Sequence, residues 1–330
     1  MGGHFSGVFG VLEIGRNSAI RKRLKNMPGC YAVFHKQLGD LVLLEPTLSK
    51  IRDYHGAPVG CMTRRGHTPL LRLIPGVYSQ RGIPLRGRSH LYCFDPLNKS
   101  AMRSLLSRAR VKICVLPEQR EARWFHRHIF RELLVPELGD KYVAEYFWMN
   151  TPAPASGSFR PPRLTPPPER WKPPQLGDDP FILLNPTSGW RQKSWLPDRW
   201  AQTLATLRRE TGLSFVMTSA SVDWQLQHCR EIQEKAGSFV RNLANTTLEH
   251  FLWLCSRAQA VFSVDGAASH LACAFGVKGL TLFGPTSASN WHYPSPGSFL
   301  VQAPPSKDRV CRLRNLSGEA VIDVARQVFQ

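Results

Sequence analysis

Paired cysteines are missing from this sequence. Its eight cysteines, Cys30, Cys61, Cys93, Cys114, Cys229, Cys255, Cys273 and Cys311, stand singly, with no C-x-x-C and no Cys/His pair at zinc-finger spacing. That excludes a disulfide scaffold and a cysteine-held structural zinc; most of these thiols lie in apolar runs and read as buried and reduced in a cytosolic protein. No apolar run reaches the ~18 residues needed to cross a bilayer, so a soluble protein or one resting on a membrane face is expected. The opening MGGHFSGVFGVLEIG carries no basic segment ahead of a long apolar core, hence no signal peptide is read there; it fits only the short M-G-x-x-x-S acylation pattern. Also missing are G-x-G-x-x-G after a strand, G-x-x-x-x-G-K-[ST] and any D-x-D. Their absence argues against a plain dinucleotide site, a Walker-type site and a metal-held diphosphate, so no metal and no cofactor is expected.

Acidic residues are scarce, 24 Asp/Glu against 43 Lys/Arg over 330 residues, for a formal charge of +19. The excess is uneven. Residues 1–150 hold 24 Lys/Arg against 11 Asp/Glu, whereas residues 179–330 hold 15 against 11. A basic half beside a nearly balanced one points to an anionic partner for the first half: a phosphorylated substrate, an anionic membrane surface or nucleic acid.

Between Pro152 and Pro174, nine prolines disfavour helix and sheet and read as an extended, stiff spacer. The chain accordingly divides into an N-terminal extension (1–27), a first domain (28–150), a proline-rich linker (151–178) and a second domain (179–330). In the first domain CYAVFHK reads as a strand, LGDLVLLEPTLSKIRDYH as a helix and APVGCMT as a strand. After the linker, strands FILLNP, LSFVMTS, FVRNLA, AVFSV and GLTLFG alternate with helices over 196–210, 222–235, 247–257 and 267–275. Such alternation implies parallel sheets covered on both faces, hence an α/β protein of two domains with a cleft between them. No internal repeat is legible.

Ligands of open parallel sheets gather beyond the carboxyl ends of strands, where helix N-termini offer free N–H groups to anions. Three strand ends of the second domain carry suitable residues. Thr187, Ser188 and Lys193 follow FILLNP; Asp265-Gly266-Ala267-Ala268-Ser269-His270 follows AVFSV; Gly284-Pro285-Thr286 follows GLTLF. Singly, each reads more simply as a helix cap or a solvated charge. Together, amides, hydroxyls and one lysine suit a diphosphate.

Residues 238–294, from SFVRNLANTTLEHF through SVDGAASHLACAFG to LFGPTSASNWHYP, resemble the C-terminal half of glycosyltransferase family 9, the bacterial heptosyltransferases, whose signature runs D-[ST]-G-x-x-H-x-A-A-A followed by a strand and FGPT. YAVFHKQLGDLVLLEPTL resembles the family's opening strand and G-D-x-[LV]-x-x-x-P helix; KSWLPDRW and TSASVD fill two further motif positions. The resemblance implies the GT-B fold, two Rossmann-like domains with parallel sheets facing a central cleft, and metal-independent, inverting transfer of a heptose-type sugar from an ADP-linked donor to an anionic lipopolysaccharide acceptor. It implies Asp40 as general base and Lys193 as the lysine that meets the diphosphate. Thr187, Ser188, Asp265, Gly266, Ala267 and His270 would complete the donor loops, with Asp223 near the ribose and Thr246 beside the adenine. One departure stands out: the family's D-[ST]-G is D-G-A here, and a need for positive φ at Ala267 would weaken donor binding. A non-catalytic binding protein of the same fold is the alternative.

Under this resemblance Arg64, Arg65, Arg86 and Arg88 become candidates for an acidic, lipid-linked glycan acceptor. The segment 119–134, QREARWFHRHIFRELL, interleaves basic and aromatic residues at helical spacing and reads as an amphipathic helix, either core-facing or resting on an anionic membrane. No recognition motif for nucleic acid accompanies it, which ranks nucleic acid low. A cytoplasmic monomer, peripheral on the inner face of the membrane, is expected.

Overall fold

The computed structural model describes residues 29–84, 89–155, 157–305 and 312–330. In chain order the first half runs β1 (Cys30–Val33), α1 (Leu38–Leu43), α2 (Glu45–His55), β2 (Val59–Met62), α3 (Thr68–Leu71), β3 (Val77–Ser79), β4 (His90–Cys93), α4 (Asn98–Leu106), β5 (Val111–Val115), α5 (His126–Ile129), β6 (Glu132–Leu134) and α6 (Val143–Asn150). The second half runs β7 (Phe181–Asn185), α7 (Pro197–Thr211), β8 (Ser214–Met217), α8 (Asp223–Ala236), β9 (Val240–Asn242), α9 (Leu248–Arg257), β10 (Ala260–Val264), α10 (Ala267–Phe275), β11 (Gly279–Phe283), α11 (Ala288–Trp291), β12 (Ser298–Gln302) and α12 (Gly318–Val328).

Each half forms one six-stranded, wholly parallel sheet, ordered β3-β2-β1-β4-β5-β6 and β12-β11-β10-β7-β8-β9. Counted from its own first strand, each sheet has the same order. The chain therefore repeats one topology twice although its sequence does not show it. In both sheets the order reverses beside the first strand, between β1 and β4 and between β7 and β10, and such switch points open a crevice for ligands. The central strands AVFSV and GLTLF are buried at every position, as helices on both faces require.

Two local expectations fail for physical reasons. The helix expected across 38–55 divides at Leu44, because Pro46 in the first turn of α2 has no N–H to continue the ladder of α1. The helix expected across 119–134 does not form. Residues 119–121 make a single 3-10 turn, α5 is one turn long, and Glu132, Leu133 and Leu134 pair with Ile113, Cys114 and Val115 as the sheet edge. Backbone pairing to an open edge outweighs a helical side-chain pattern.

The proline-rich segment is extended but is more than a spacer. Arg160 makes a two-pronged pair with the buried Glu45 (Nη1–Oε2 2.7 Å, Nη2–Oε1 2.8 Å), and Glu45 also accepts from Arg163 N–H at 2.8 Å and Ser49 Oγ at 2.7 Å. Leu164 N–H donates to Ala274 O at 3.0 Å and Thr165 N–H to Leu73 O at 2.9 Å, so adjacent residues bond to opposite halves. Leu164, Trp171 and Leu176 enter a core that also contains Leu41 and Leu44 of the first half with Leu252, Ala268 and Leu271 of the second.

Candidate active site at the facing switch points

On the first-half side, the loop after β1 delivers α1 and with it Asp40. Both peptide groups flanking His35 are fixed: His35 N–H donates to Asp95 Oδ2 at 2.6 Å, and His35 O accepts from Arg64 Nε at 2.6 Å. Asp95, buried beyond β4, also accepts from Ser100 Oγ at 2.8 Å and Leu97 N–H at 2.9 Å. The His35 ring meets Ser100 Oγ at 2.7 Å, and burial beside Arg103, Lys99, Arg64 and His67 holds it down to about 4, hence neutral at pH 7. Lys36 pairs with Glu121 at 2.7 Å, tying the same loop to the turn after β5. Asp40 is half-buried, accepts Gln37 N–H at 3.3 Å, and its carboxyl is pushed above the usual range. Burial is the main cause, opposed by Lys36, the Gln37 N–H and Lys193, and reinforced by Asp265. A carboxyl raised in this way is suited to taking a proton near neutral pH.

On the second-half side, Asp265 ends β10, buried, and its Oδ2 receives Lys193 Nζ at 2.6 Å and Thr286 Oγ1 at 2.6 Å. Three strand ends thus meet at one carboxylate oxygen. Lys193 also lies over the Trp190 ring, 4.9 Å from its centroid. Asp265 is therefore an anchor for the lysine, rather than a group that by itself faces a donor. Gly266 precedes α10 in an extended conformation (φ 175°), and a Cβ there would reach ordinary contact with Ser188 Cβ at 3.4 Å, so the loops after β7 and β10 lie side by side. Ala267 opens α10, and among the described residues the only non-glycine with positive φ is Asn245. The D-G-A departure thus introduces no backbone strain, contrary to the concern raised by the sequence.

The two sides touch. A Cβ at Gly39 would stand 3.0 Å from His270 Cδ2, 3.3 Å from Ala267 Cα and 3.4 Å from Ala267 N, so α1 packs directly on the N-terminus of α10. His270 is buried, and desolvation together with Lys193 and His292 brings its imidazole down to about 4 against the opposing pull of Asp265. It is neutral at pH 7. Nearby, Asn290 Nδ2 donates to Gly139 O at 2.7 Å and Lys141 O at 2.9 Å, a second bridge between halves.

The remaining candidates fare differently. Thr187 is buried and its hydroxyl donates to Gln225 Oε1 at 3.0 Å, bracing the loops after β7 and β8; Ser188 is the half-buried hydroxyl of that loop. Asp223 is exposed at the start of α8, and Thr246 Oγ1 meets His250 Nδ1 at 3.2 Å beyond β9. Arg64 braces the Asp40 loop; Arg65 is exposed beside it. Arg86, Arg88, Cys311 and residues 1–27 lie outside the described residues. The sequence reading missed Gln225, which holds the loops after β7 and β8 together through Thr187, Ser188 O at 2.9 Å and Ala220 N–H at 3.2 Å. It also missed Gly39, whose only signal was its place in the motif L-G-D. Among the described residues no group of three or more His, Cys, Asp or Glu is placed to hold a metal ion.

Two Rossmann-like sheets of one topology, with their switch points facing one another, define the GT-B fold. Residues 160–315, just under half of the chain, match the sequence model of glycosyltransferase family 9 (heptosyltransferase). Among solved structures the fold is similar to E. coli ADP-heptose LPS heptosyltransferase II (TM-score 0.75, 17% identity, 91% of this chain and 98% of that chain). It is likewise similar to the glycosyl transferase family 9 protein of Veillonella parvula (0.76, 15%, 91% and 97%) and to E. coli heptosyltransferase WaaC with ADP (0.70, 15%, 91% and 99%). A search of curated protein sequences finds no match.

Proposed function

We propose that this protein is a glycosyltransferase that moves a heptose-type sugar from a nucleoside-diphosphate donor, ADP-heptose by its likeness to the heptosyltransferases, to a hydroxyl of an anionic, lipid-linked glycan such as lipopolysaccharide. The observation that carries this is the packing of Gly39, the neighbour of Asp40, on the α10 N-terminus, which brings Asp40 within electrostatic reach of the Lys193–Asp265 pair. The acceptor hydroxyl gives its proton to Asp40 as its oxygen attacks the anomeric carbon from the face opposite the diphosphate. The bond from that carbon to the diphosphate oxygen breaks, its electron pair leaves with the phosphate, and configuration inverts. Lys193 and the free N–H groups at Ala267 and Ala268 neutralise the charge that develops on the leaving group. Because Asp265 and Thr286 hold Lys193 before any donor arrives, little reorganisation is needed at the moment of transfer. Ser188 and Gly266 would line the diphosphate, while Asp223 and Thr246 stand at the α8 and β9 ends where a nucleoside would extend. Arg65, with Arg86 and Arg88, would meet acidic groups of the acceptor.

No metal is required by this scheme, and a chelator should leave the rate unchanged. With seven free cysteines and no disulfide among the described residues, a reducing, cytoplasmic site of action fits. A single chain supplies both sides of the cleft, which suits a monomer. The decisive test is Asp40→Asn: it should fold and bind nucleotide normally while turnover falls by about 10²–10⁴-fold. Near-normal turnover would remove Asp40 from the mechanism.

A further inference from the structure

Helix α4 is built inside out. Its buried face carries Ser100, Ala101 and Ser104, whereas Met102, Leu105 and Leu106 are 55%, 52% and 54% exposed. The spacing of three and four residues puts these large side chains in one outward stripe. Leu97, just ahead of the helix, is exposed as well. Trp124, 78% exposed, stands next to Arg123, whose Nη1 donates to Asn98 Oδ1 at 2.8 Å and so brings the indole to the same surface. Half of the exposed large hydrophobic side chains of the described structure lie within residues 97–124.

The charge around it has one sign. Residues 97–131 contain nine Lys/Arg and two Asp/Glu, and both acids are engaged, Glu118 with Arg120 and Glu121 with Lys36. Lys99, Arg108 and Arg127 are exposed beside the stripe. We infer that this face docks the first half onto an anionic lipid bilayer, the stripe and Trp124 entering the headgroup boundary and the basic side chains meeting lipid phosphates. A second copy fits the patch poorly, since like charge would face like charge. A polyanion such as RNA would satisfy the charges but leave the aliphatic stripe in water. The helix follows β4, at the carboxyl end of the sheet where Asp95 and Asp40 also lie, so docking here brings the cleft to the bilayer surface. This deepens the lipid-linked acceptor proposed above, yet its test involves no acceptor and no transfer.

The full chain is sedimented with vesicles of phosphatidylethanolamine containing 30% phosphatidylglycerol, and with neutral phosphatidylcholine vesicles. Binding to the anionic vesicles should be at least about tenfold tighter and should weaken as salt rises from ~0.1 to ~0.5 M. The triple variant Met102→Ser, Leu105→Ser, Leu106→Ser should lose about tenfold or more of that binding while keeping its melting temperature and nucleotide affinity, because these side chains face outward. Trp124→Ser should weaken binding independently. Equal binding to both vesicle types, wild-type binding by the triple variant, or loss of self-association rather than of vesicle binding in that variant would overturn the assignment. Retention on RNA that is unaffected by the serine substitutions, without vesicle binding, would replace the bilayer with nucleic acid.

Discussion

Gly39→Ala adds one methyl group where the halves meet. That methyl would sit 3.0 Å from His270 Cδ2 and 3.3 Å from Ala267 Cα, the second a backbone atom at the start of α10. Neither neighbour can yield easily, since Ala267 is fixed by its helix and His270 is buried. Overpacking of this kind costs about 1–3 kcal/mol. The halves share a core that includes Leu41, Leu44, Ala268 and Leu271, so the strain cannot be shed by separating them without uncovering that core, and the penalty falls on the folded, apposed arrangement. Alanine is favoured over glycine within a helix by about 1 kcal/mol, and that gain is present whether or not the halves touch. The variant should therefore keep its melting temperature within a few degrees, while kcat/KM for release of ADP from ADP-heptose falls about 5- to 150-fold, the factor equivalent to 1–3 kcal/mol. Thermal melts, turnover and calorimetric titration with ADP are read on the same preparation. Unchanged kcat/KM would mean that the Gly39 contact is not kept during turnover. A melting temperature lowered by ten degrees or more would mean that the methyl disrupts a core, and would refute the reasoning equally.

Asp265→Asn removes the negative partner of Lys193 within a mostly buried pair, and should destabilise the protein by about 2–4 kcal/mol and weaken ADP binding, measured by denaturant melts and titration. Glu45→Gln breaks the two-pronged bond to Arg160; because the guanidinium is partly exposed, a loss of about 1–3 kcal/mol is expected, with faster proteolysis in residues 152–174. The histidines His35, His55, His67 and His270 are all held down to about 4 by burial, below their unfolded value of 6.5. Their contribution to stability is present above pH 6.5 and is lost as pH falls towards 4, because the unfolded chain then binds protons that the native state refuses. Melting temperature should drop across that window, and constancy from pH 7 to 4.5 would contradict it. Asp40, raised by burial, works in the opposite sense: its charged form is disfavoured by folding, and turnover should fall on acidification through a pKa above that of an ordinary carboxylate.

Apolar strands and amphipathic helices are local properties, and the alternation that defines both halves was legible from β7 to β11 nearly residue by residue. What depended on partners distant in sequence was not. Glu132, Leu133 and Leu134 are strand because Ile113, Cys114 and Val115 offer an edge, and no periodicity within 119–134 records that edge. The proline run announced a boundary but not its attachments, since Arg160 finds Glu45 115 residues away. Within the site, Asp40, Lys193 and His270 stood out as chemical types in recognisable motifs. The bond from Thr187 to Gln225 was not legible, because a hydroxyl near a helix start looks the same in sequence whether it donates to a ligand or to a neighbouring side chain. Gly39 and Gln225 act through close approach and through bracing, neither of which has a residue type of its own.

The core shared by both halves also sets a schedule for the ribosome. Leu41 and Leu44 share that core with Ala268 and Leu271, which are translated roughly 230 residues later. At ~5–20 residues per second, the apolar back of α1 waits about 10–45 s for its cover. Until then the nascent chain offers that surface to whatever is near, so chaperone engagement should be concentrated on the emerging first half. A message truncated before codon 267 should yield a product that aggregates, even though all six strands of its first sheet have been made.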